Sequence, residues 1–440
     1  MRHVSWWMRT AVGAGALALS TLGWAGPALA QTGPVSATPA KGTPALANSG
    51  STEQVRQLVQ CGGTMYAVGR FTKISWNGTT FTRDNAFSFS ASAPYKVSSW
   101  NPGVSGEVNS IALSRTCATA WLGGDFKSIG RSSVRNLAAV STSTGRVVTS
   151  FGHSANGTVE TLLKDHEHLL TGGYFTSVNN NSNKYMASLN TSTGKDDGFV
   201  RLNISGHYQF PGVGSNPTRV YNQQLSHGGT LELVEGDFTS VGGQHRQQIF
   251  MLNLGGSSAK VTGWTSAEFN GDCATNESFY VRAASWSPDD STVYIGSTGY
   301  HPFNEPTGSF PRSGLCDAAA AFPATQSSVS HRWVNYTGCD SLYSTAADTS
   351  TAYFGGHERW SENPQGCDSA GPGAIPAPGI EGLSPGTGAL TFNPTRSRGL
   401  GADDMLITGA GLWIASDNLD HSAQCGHVSG HAGVCLLPYG

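Results

Sequence analysis

Two short stretches hold side-chain types that could recognise or cleave a sugar. One contains Tyr300, His301, Asn304 and Glu305; the other contains His357, Glu358, Arg359 and Trp360. Aromatic faces stack on a pyranose ring, while carboxylates, amides and imidazoles hydrogen-bond its hydroxyls. Glycoside hydrolysis would need two acids held about 5–10 Å apart. Glu305, Glu358, Glu362, Asp403 and Asp404 supply the carboxylates, but their order in the chain sets no such separation. A third cluster, His421, His427 and His431 around Cys425, offers imidazoles of the kind that bind copper or zinc. Its spacing matches no familiar zinc pattern, so a resident metal or other cofactor is not expected. No G-x-S-x-G, H-E-x-x-H, phosphate-loop or dinucleotide signature is present.

The two sugar-like stretches must be positioned by whatever surrounds them, and what surrounds them is a repeat. Between Glu107 and Gly152 the chain reads EVNSIALS, ATAWLGGDFKSIG, VRNLAAVSTSTG and RVVTSFG. Four short apolar segments bounded by Gly, Ser and Asn describe a four-stranded antiparallel meander. The same paragraph recurs at roughly 50–60 residues, the period of propeller blades. Thr-Gly pairs at Thr144-Gly145, Thr193-Gly194 and Thr387-Gly388 mark the turn between third and fourth strands. The spacing predicts an all-β protein, a seven-bladed β-propeller of four-stranded antiparallel blades, as one domain over residues 52–440. In this register both candidate stretches are inserts between the second and third strands of blades five and six, and long loops on a rigid scaffold are common sites of function. The last unit has only three strands. Closing the ring, which removes exposed strand edges, therefore predicts that Pro44 to Asn48 supplies the fourth, pairing the N- and C-terminal segments.

The most regular element is the second strand with its turn: AVGRFTKI, LGGDFKSIG, TGGYFTSV and VEGDFTSVGG. Phe71, Phe126, Phe175 and Phe238 occupy one equivalent position, behind Gly69, Gly124, Gly173 and Gly236. These Phe are expected to fill the space between sheets, and the Gly to allow close backbone approach or a bulge. Asp125 and Asp237 recur in two units only, which does not support a ring of identical metal sites. This string, followed by an apolar strand, a Thr-Gly turn, an aromatic strand and Asn-Pro, resembles the delta-sixty-type repeat, a kelch-like repeat of secreted bacterial proteins. The resemblance covers about Val55 to Ser266. It implies a β-propeller, and it brings no catalytic residues.

Met1 to Ala30 has the layout of a cleaved signal peptide: Arg2 and Arg9, an apolar run from Ala11 to Trp24, and Ala28-Leu29-Ala30 as the cleavage site. Residues 31–51, rich in Pro, Ala, Gly, Ser and Thr, are expected to form a flexible leader. No later segment reads as a membrane span. Eight cysteines in an exported chain predict a disulfide framework. Matching equivalent places in neighbouring repeats predicts Cys61–Cys117, Cys273–Cys339 and Cys316–Cys367, with Cys425–Cys435 inside the last unit.

With 26 Lys and Arg against 29 Asp and Glu, the net charge of −3 argues against a nucleic-acid partner. The leading expectation is a secreted, monomeric, non-enzymatic recognition module that presents loops to an extracellular glycan or protein. A carbohydrate-active enzyme near blades five and six is the alternative, and a copper or zinc protein is a weaker one.

Overall fold

The computed structural model describes residues 33–47, 51–207, 217–270, 273, 279–299, 314–394, 401–418, 424–425, 428–429 and 431–440. Among them one antiparallel pattern is repeated in seven sheets, and the only helical element is a 3-10 turn at Ala267–Asn270. No helix there is long and apolar enough to cross a membrane. The first strands of the sheets are Gln54–Cys61, Glu107–Leu113, Thr158–Asp165, Arg219–Leu225, Val281–Trp286, Leu342–Ala347 and Ala402–Thr408. Each pairs with a second strand, which pairs with a third. A fourth strand of two to four residues is present in sheets four, five and six, at Lys260–Val261, Trp333–Tyr336 and Leu390–Phe392. In sheets one to three it shrinks to single bridges, Phe89 with Val97, Val140 with Val147 and Leu189 with Asp196.

Each first strand packs against the first strand of the next sheet, and the strand at Ala402–Thr408 packs against that at Gln54–Cys61. The result is a propeller-like ring with the first strands innermost. Apolar side chains fill the wedges between sheets. Tyr66, Val68 and Ala86 of sheet one, for instance, lie in one cluster with Val108, Ile111, Leu122 and Phe126 of sheet two. Phe71, Phe126, Phe175 and Phe238 are all buried in such wedges. Polar clips join neighbours: Asn136, at φ 63°, accepts from the Phe126 amide at 3.1 Å and donates to the Gly157 carbonyl of the next sheet at 3.0 Å. The indole N–H of Trp100 reaches the Ser141 carbonyl at 3.1 Å, and that of Trp333 reaches the Pro385 carbonyl at 2.9 Å.

The ends of the chain meet, but not in the expected register. Ser36 and Ala40 donate to the Pro438 and Leu436 carbonyls at 2.7 and 2.9 Å, so residues 36–40 lie along the outer edge of Val434–Pro438. Of Pro44 to Asn48, expected there, the described residues Pro44 to Ala47 do not take that place, and Asn48 lies outside the described residues. Ala45 and Leu46 pair instead with Ser75 and Ile74 of the first repeat. Val35 sets the register, because its buried side chain packs with Tyr353, Ile380, Leu412, Ile414 and Leu437 between the sixth and seventh sheets. The stretch at 33–47, read as part of a flexible leader, is thus hydrogen-bonded and partly buried. Glu53 and Asn418 add reciprocal bonds between the first and last sheets.

The disulfides are Cys61–Cys117, Cys273–Cys316, Cys339–Cys367 and Cys425–Cys435. The expected Cys273–Cys339 and Cys316–Cys367 pairs are therefore wrong. In an antiparallel meander the first and third strands start at the same end of the sheet. Cys273, ahead of the first strand of sheet five, thus meets Cys316, ahead of its third strand, without crossing to a neighbour. Cys339 and Cys367 repeat the arrangement in sheet six.

Candidate functional site

The innermost strands share an irregularity that turns the ring into a site. In every one of the seven, the pairing with the second strand slips by one residue near its start. The extra residues are Arg56, Asn109, Glu160, Tyr221, Arg282, Tyr343 and Asp403. A bulge leaves its added residue out of the ladder and re-aims the side chain. All seven line one central cavity of about 460 Å³. The glycines on the second strands make room for the bulges: a Cβ on Gly124 would lie 2.1 Å from the Glu107 carbonyl oxygen, and Gly69, Gly173, Gly236 and Gly356 face the same obstacle.

The cavity is polarised. Sheets two, three and seven supply its five carboxylates, Glu107, Asp125, Glu160, Asp403 and Asp404, and sheet one adds Arg56 among them. Arg56 bonds Glu107 at 2.8 Å and Asp403 at 3.2 Å, Asn109 donates to Glu160 at 3.0 Å, and Asp404 accepts from the Leu58 amide at 2.8 Å. Sheets four, five and six supply a ladder of cations and rings. The guanidiniums of Arg219 and Arg282 lie 5.3 and 6.0 Å from the Tyr221 ring centre. Arg282 also lies 5.2 Å from the Tyr343 ring centre, and Tyr343 stacks on His357 at 5.2 Å. Contacts of this length are within cation–π range.

Burial weakens the acids of this cavity. It pushes Asp403 up to about 7, against the attraction of Arg56 and Arg282, and Asp404 up to about 6, against the Leu58 amide. Glu160 is also raised by burial despite Arg219, Arg282 and Arg56. Behind the wall, Glu235 accepts a bond from the cavity-lining Asn222 at 2.8 Å, and burial raises it to about 8. In the unfolded chain these groups lose their protons at ordinary carboxylate values. The folded state therefore holds more protons between about pH 4 and 8, and its stability falls as pH rises through that window. The melting temperature is expected to be highest near pH 5 and to decline towards pH 8.5. Glu235→Gln should flatten the upper part of that decline in a calorimetric pH series, with little effect at about pH 5.

Of the residues singled out in the sequence, His357, Asp403, Asp404 and Asp125 are brought to the cavity or its ladder. Glu358 is fully buried. Arg359 is held by Asp340 through two bonds of 2.7 and 2.9 Å and also meets Asp368, so it anchors its own loop, as does Trp360 in its short pairing with Pro376. Tyr300, His301, Asn304 and Glu305 lie outside the described residues, as do His421 and His427. His431 bonds Thr43 Oγ1 at 2.9 Å and the Val434 carbonyl at 2.7 Å, which ties it to the N-terminal segment. Sequence reasoning missed Arg56, Asn109, Glu160, Tyr221, Arg282 and Tyr343. A signal existed: each is a polar or aromatic residue that follows an apolar one near the start of its strand, as in Val55-Arg56-Gln57, Val159-Glu160-Thr161 and Leu342-Tyr343-Ser344.

No family model matches the chain, and no curated protein matches it. Among solved structures it is similar to the structure of U3-55K, at 11% identity over 91% of this chain and 100% of that one, with a TM-score of 0.49. It is also similar to the WD40 beta propeller domain of Doa1, at 10% identity over 92% and 97% with a TM-score of 0.47. The RRP9 WD40 repeats match at 12% identity over 91% and 98%, again with a TM-score of 0.47. With TM-scores below 0.5, these likenesses carry no weight for function.

Proposed function

We propose that this protein is an exported recognition module, a seven-bladed β-propeller of four-stranded blades over residues 52–440 that follows a signal peptide at 1–30. It works outside the cell, as a monomer, and takes part of an extracellular glycan or protein into its central cavity. The observation that carries this reading is the set of seven bulges, which spend a residue from every sheet on one polar cavity. A cavity that only filled space would be lined more simply with the apolar residues used between the sheets. Four disulfides fit an oxidising destination. A second reading, a carbohydrate-active enzyme, is favoured by Asp403, which burial raises to about 7 and so suits to proton transfer near neutral pH, with Glu160, also raised by burial, in the same cavity.

Thermal unfolding of the chain from Gln31 onwards, against a panel of soluble glycans and peptides, tests both. A ligand that binds only the native state raises the midpoint by mass action. Binding without turnover, lost in Tyr343→Ala, is the expected result. Product formation abolished by Asp403→Asn would replace the module with the enzyme, and a shift that survives Tyr343→Ala would move the site out of the cavity.

A further inference from the structure

Three arginines line the cavity, and they are not equivalent. Arg56 is occupied by Glu107 and Asp403, and Arg219 lies 3.9 Å from Glu160. Arg282 makes no hydrogen bond or ion pair with any described residue. Its neighbours on the ladder are Tyr221 and Tyr343, whose rings offer it a π-face and no acceptor oxygen aligned to its N–H groups. Its N–H groups open onto the cavity and are not used by any described residue, so they are available to a ligand. Its planar fork matches a carboxylate, which accepts two parallel bonds.

The rest of the lining describes the other end of such a ligand. Asp403 Oδ2 and the Tyr221 hydroxyl are buried and have no hydrogen-bond partner among the described residues. An unpaired carboxylate oxygen asks for a donor, and an unpaired phenol can donate or accept. Glu160, Asn109 and Asn222 extend the same polar wall. The ligand therefore carries one anionic group for Arg282 and several hydrogen-bond donors for the acidic arc. A dianion such as phosphate is poorly suited, because Glu107, Asp125, Glu160, Asp403 and Asp404 share the cavity with it. The volume of about 460 Å³ falls within the range of about 300–1,000 Å³ usual for small-ligand pockets.

We propose that the central cavity is a receptor for a sugar bearing a carboxylate, a uronic or sialic acid unit, with Arg282 bound to the carboxylate and Asp403 and Glu160 receiving its hydroxyl groups. This proposal rests on the reading of the cavity as the recognition site. Alpha-amino acids share the chemistry of a carboxylate opposite a donor, with an ammonium group in place of the hydroxyls.

The test is titration of the oxidised chain from Gln31 onwards with sodium glucuronate, a galacturonate oligomer, N-acetylneuraminate, glucose, sodium glutamate and inorganic phosphate, followed by calorimetry and thermal shift. At least one acidic sugar is expected to bind, and glucose is not. Arg282→Gln should weaken that binding by about tenfold or more, and Arg282→Lys should not restore it, since an ammonium group lacks the fork. The unliganded melting points of both variants show whether they fold. Should Arg282→Gln unfold the ring, the comparison of glucuronate with glucose on the unaltered protein still decides. Equal binding of glucose, unaffected by Arg282→Gln but lost in Tyr343→Ala, would overturn the carboxylate and leave the recognition site standing. Tighter binding of glutamate would replace the sugar with a zwitterion, and preference for phosphate would replace it with a dianion. If no probe binds, the proposal falls together with the glycan half of the functional reading.

Discussion

Gly124→Ala is expected to destabilise the ring by about 1–3 kcal/mol, the usual cost of forcing an extra carbon into a packed site. The added Cβ would sit 2.1 Å from the Glu107 carbonyl oxygen and 2.9 Å from the Val108 Cα. Both obstacles are backbone, so no side chain can swing away to relieve them. The strand beside the bulge would have to move, and Asn109 and Glu107 would move with it. Gly409→Ala is the control: it lies in a turn with no atom within 4 Å of its would-be Cβ and should be nearly neutral. Urea unfolding of both variants measures the difference. Equal midpoints would mean that the bulge does not need the glycine. If cavity binding is established, Gly124→Ala should also weaken it, whereas Gly409→Ala should not.

A chain that begins at Ser51 is expected to be less stable by at least about 2 kcal/mol, taking the burial of Val35 alone at about 1.5–3 kcal/mol. It also loses the bonds from Ser36 and Ala40 to Pro438 and Leu436 and the pairing of Ala45 and Leu46 with the first repeat. The edge of Val434–Pro438 would then be open, and open edges recruit other chains. The shortened protein should melt earlier in calorimetry and associate with rising concentration in size-exclusion chromatography. Val35→Asp, with the segment kept, should reproduce the thermal loss with less of the association. If the shortened chain melts with the full one and stays monomeric, residues 33–47 are no part of the scaffold.

The meander was legible because alternation along a strand, Gly-rich turns and the repeated Phe each have a local cause. Phe71, Phe126, Phe175 and Phe238 are where their pattern places them. The cavity was not legible for the converse reason. A bulge breaks the period of two, so Arg56 or Glu160 looks like an ordinary polar residue on a strand, and only the partner strand reveals the slip. The glycines opposite were read as places for close packing or a bulge, without saying which side chain would be re-aimed. Clusters such as His357 to Trp360 drew notice by composition, yet Arg359 serves the loop itself and Glu358 is fully buried. The mispaired cysteines show the same limit. Equivalent positions in neighbouring repeats are easy to match along a sequence, whereas the end of a sheet that gathers Cys273 and Cys316 is a property of strand direction.

The bulges also separate two roles that a strand usually combines. A residue inside the ladder must suit its cross-strand neighbours, so changing it disturbs the sheet. The seven bulge residues stand outside the ladder, and an arginine, an asparagine, a glutamate, two tyrosines, a second arginine and an aspartate are all accepted at the same structural position. The scaffold therefore behaves as a socket with seven interchangeable contacts, whose selectivity can be rewritten one sheet at a time by directed evolution while the ring that holds them is left alone.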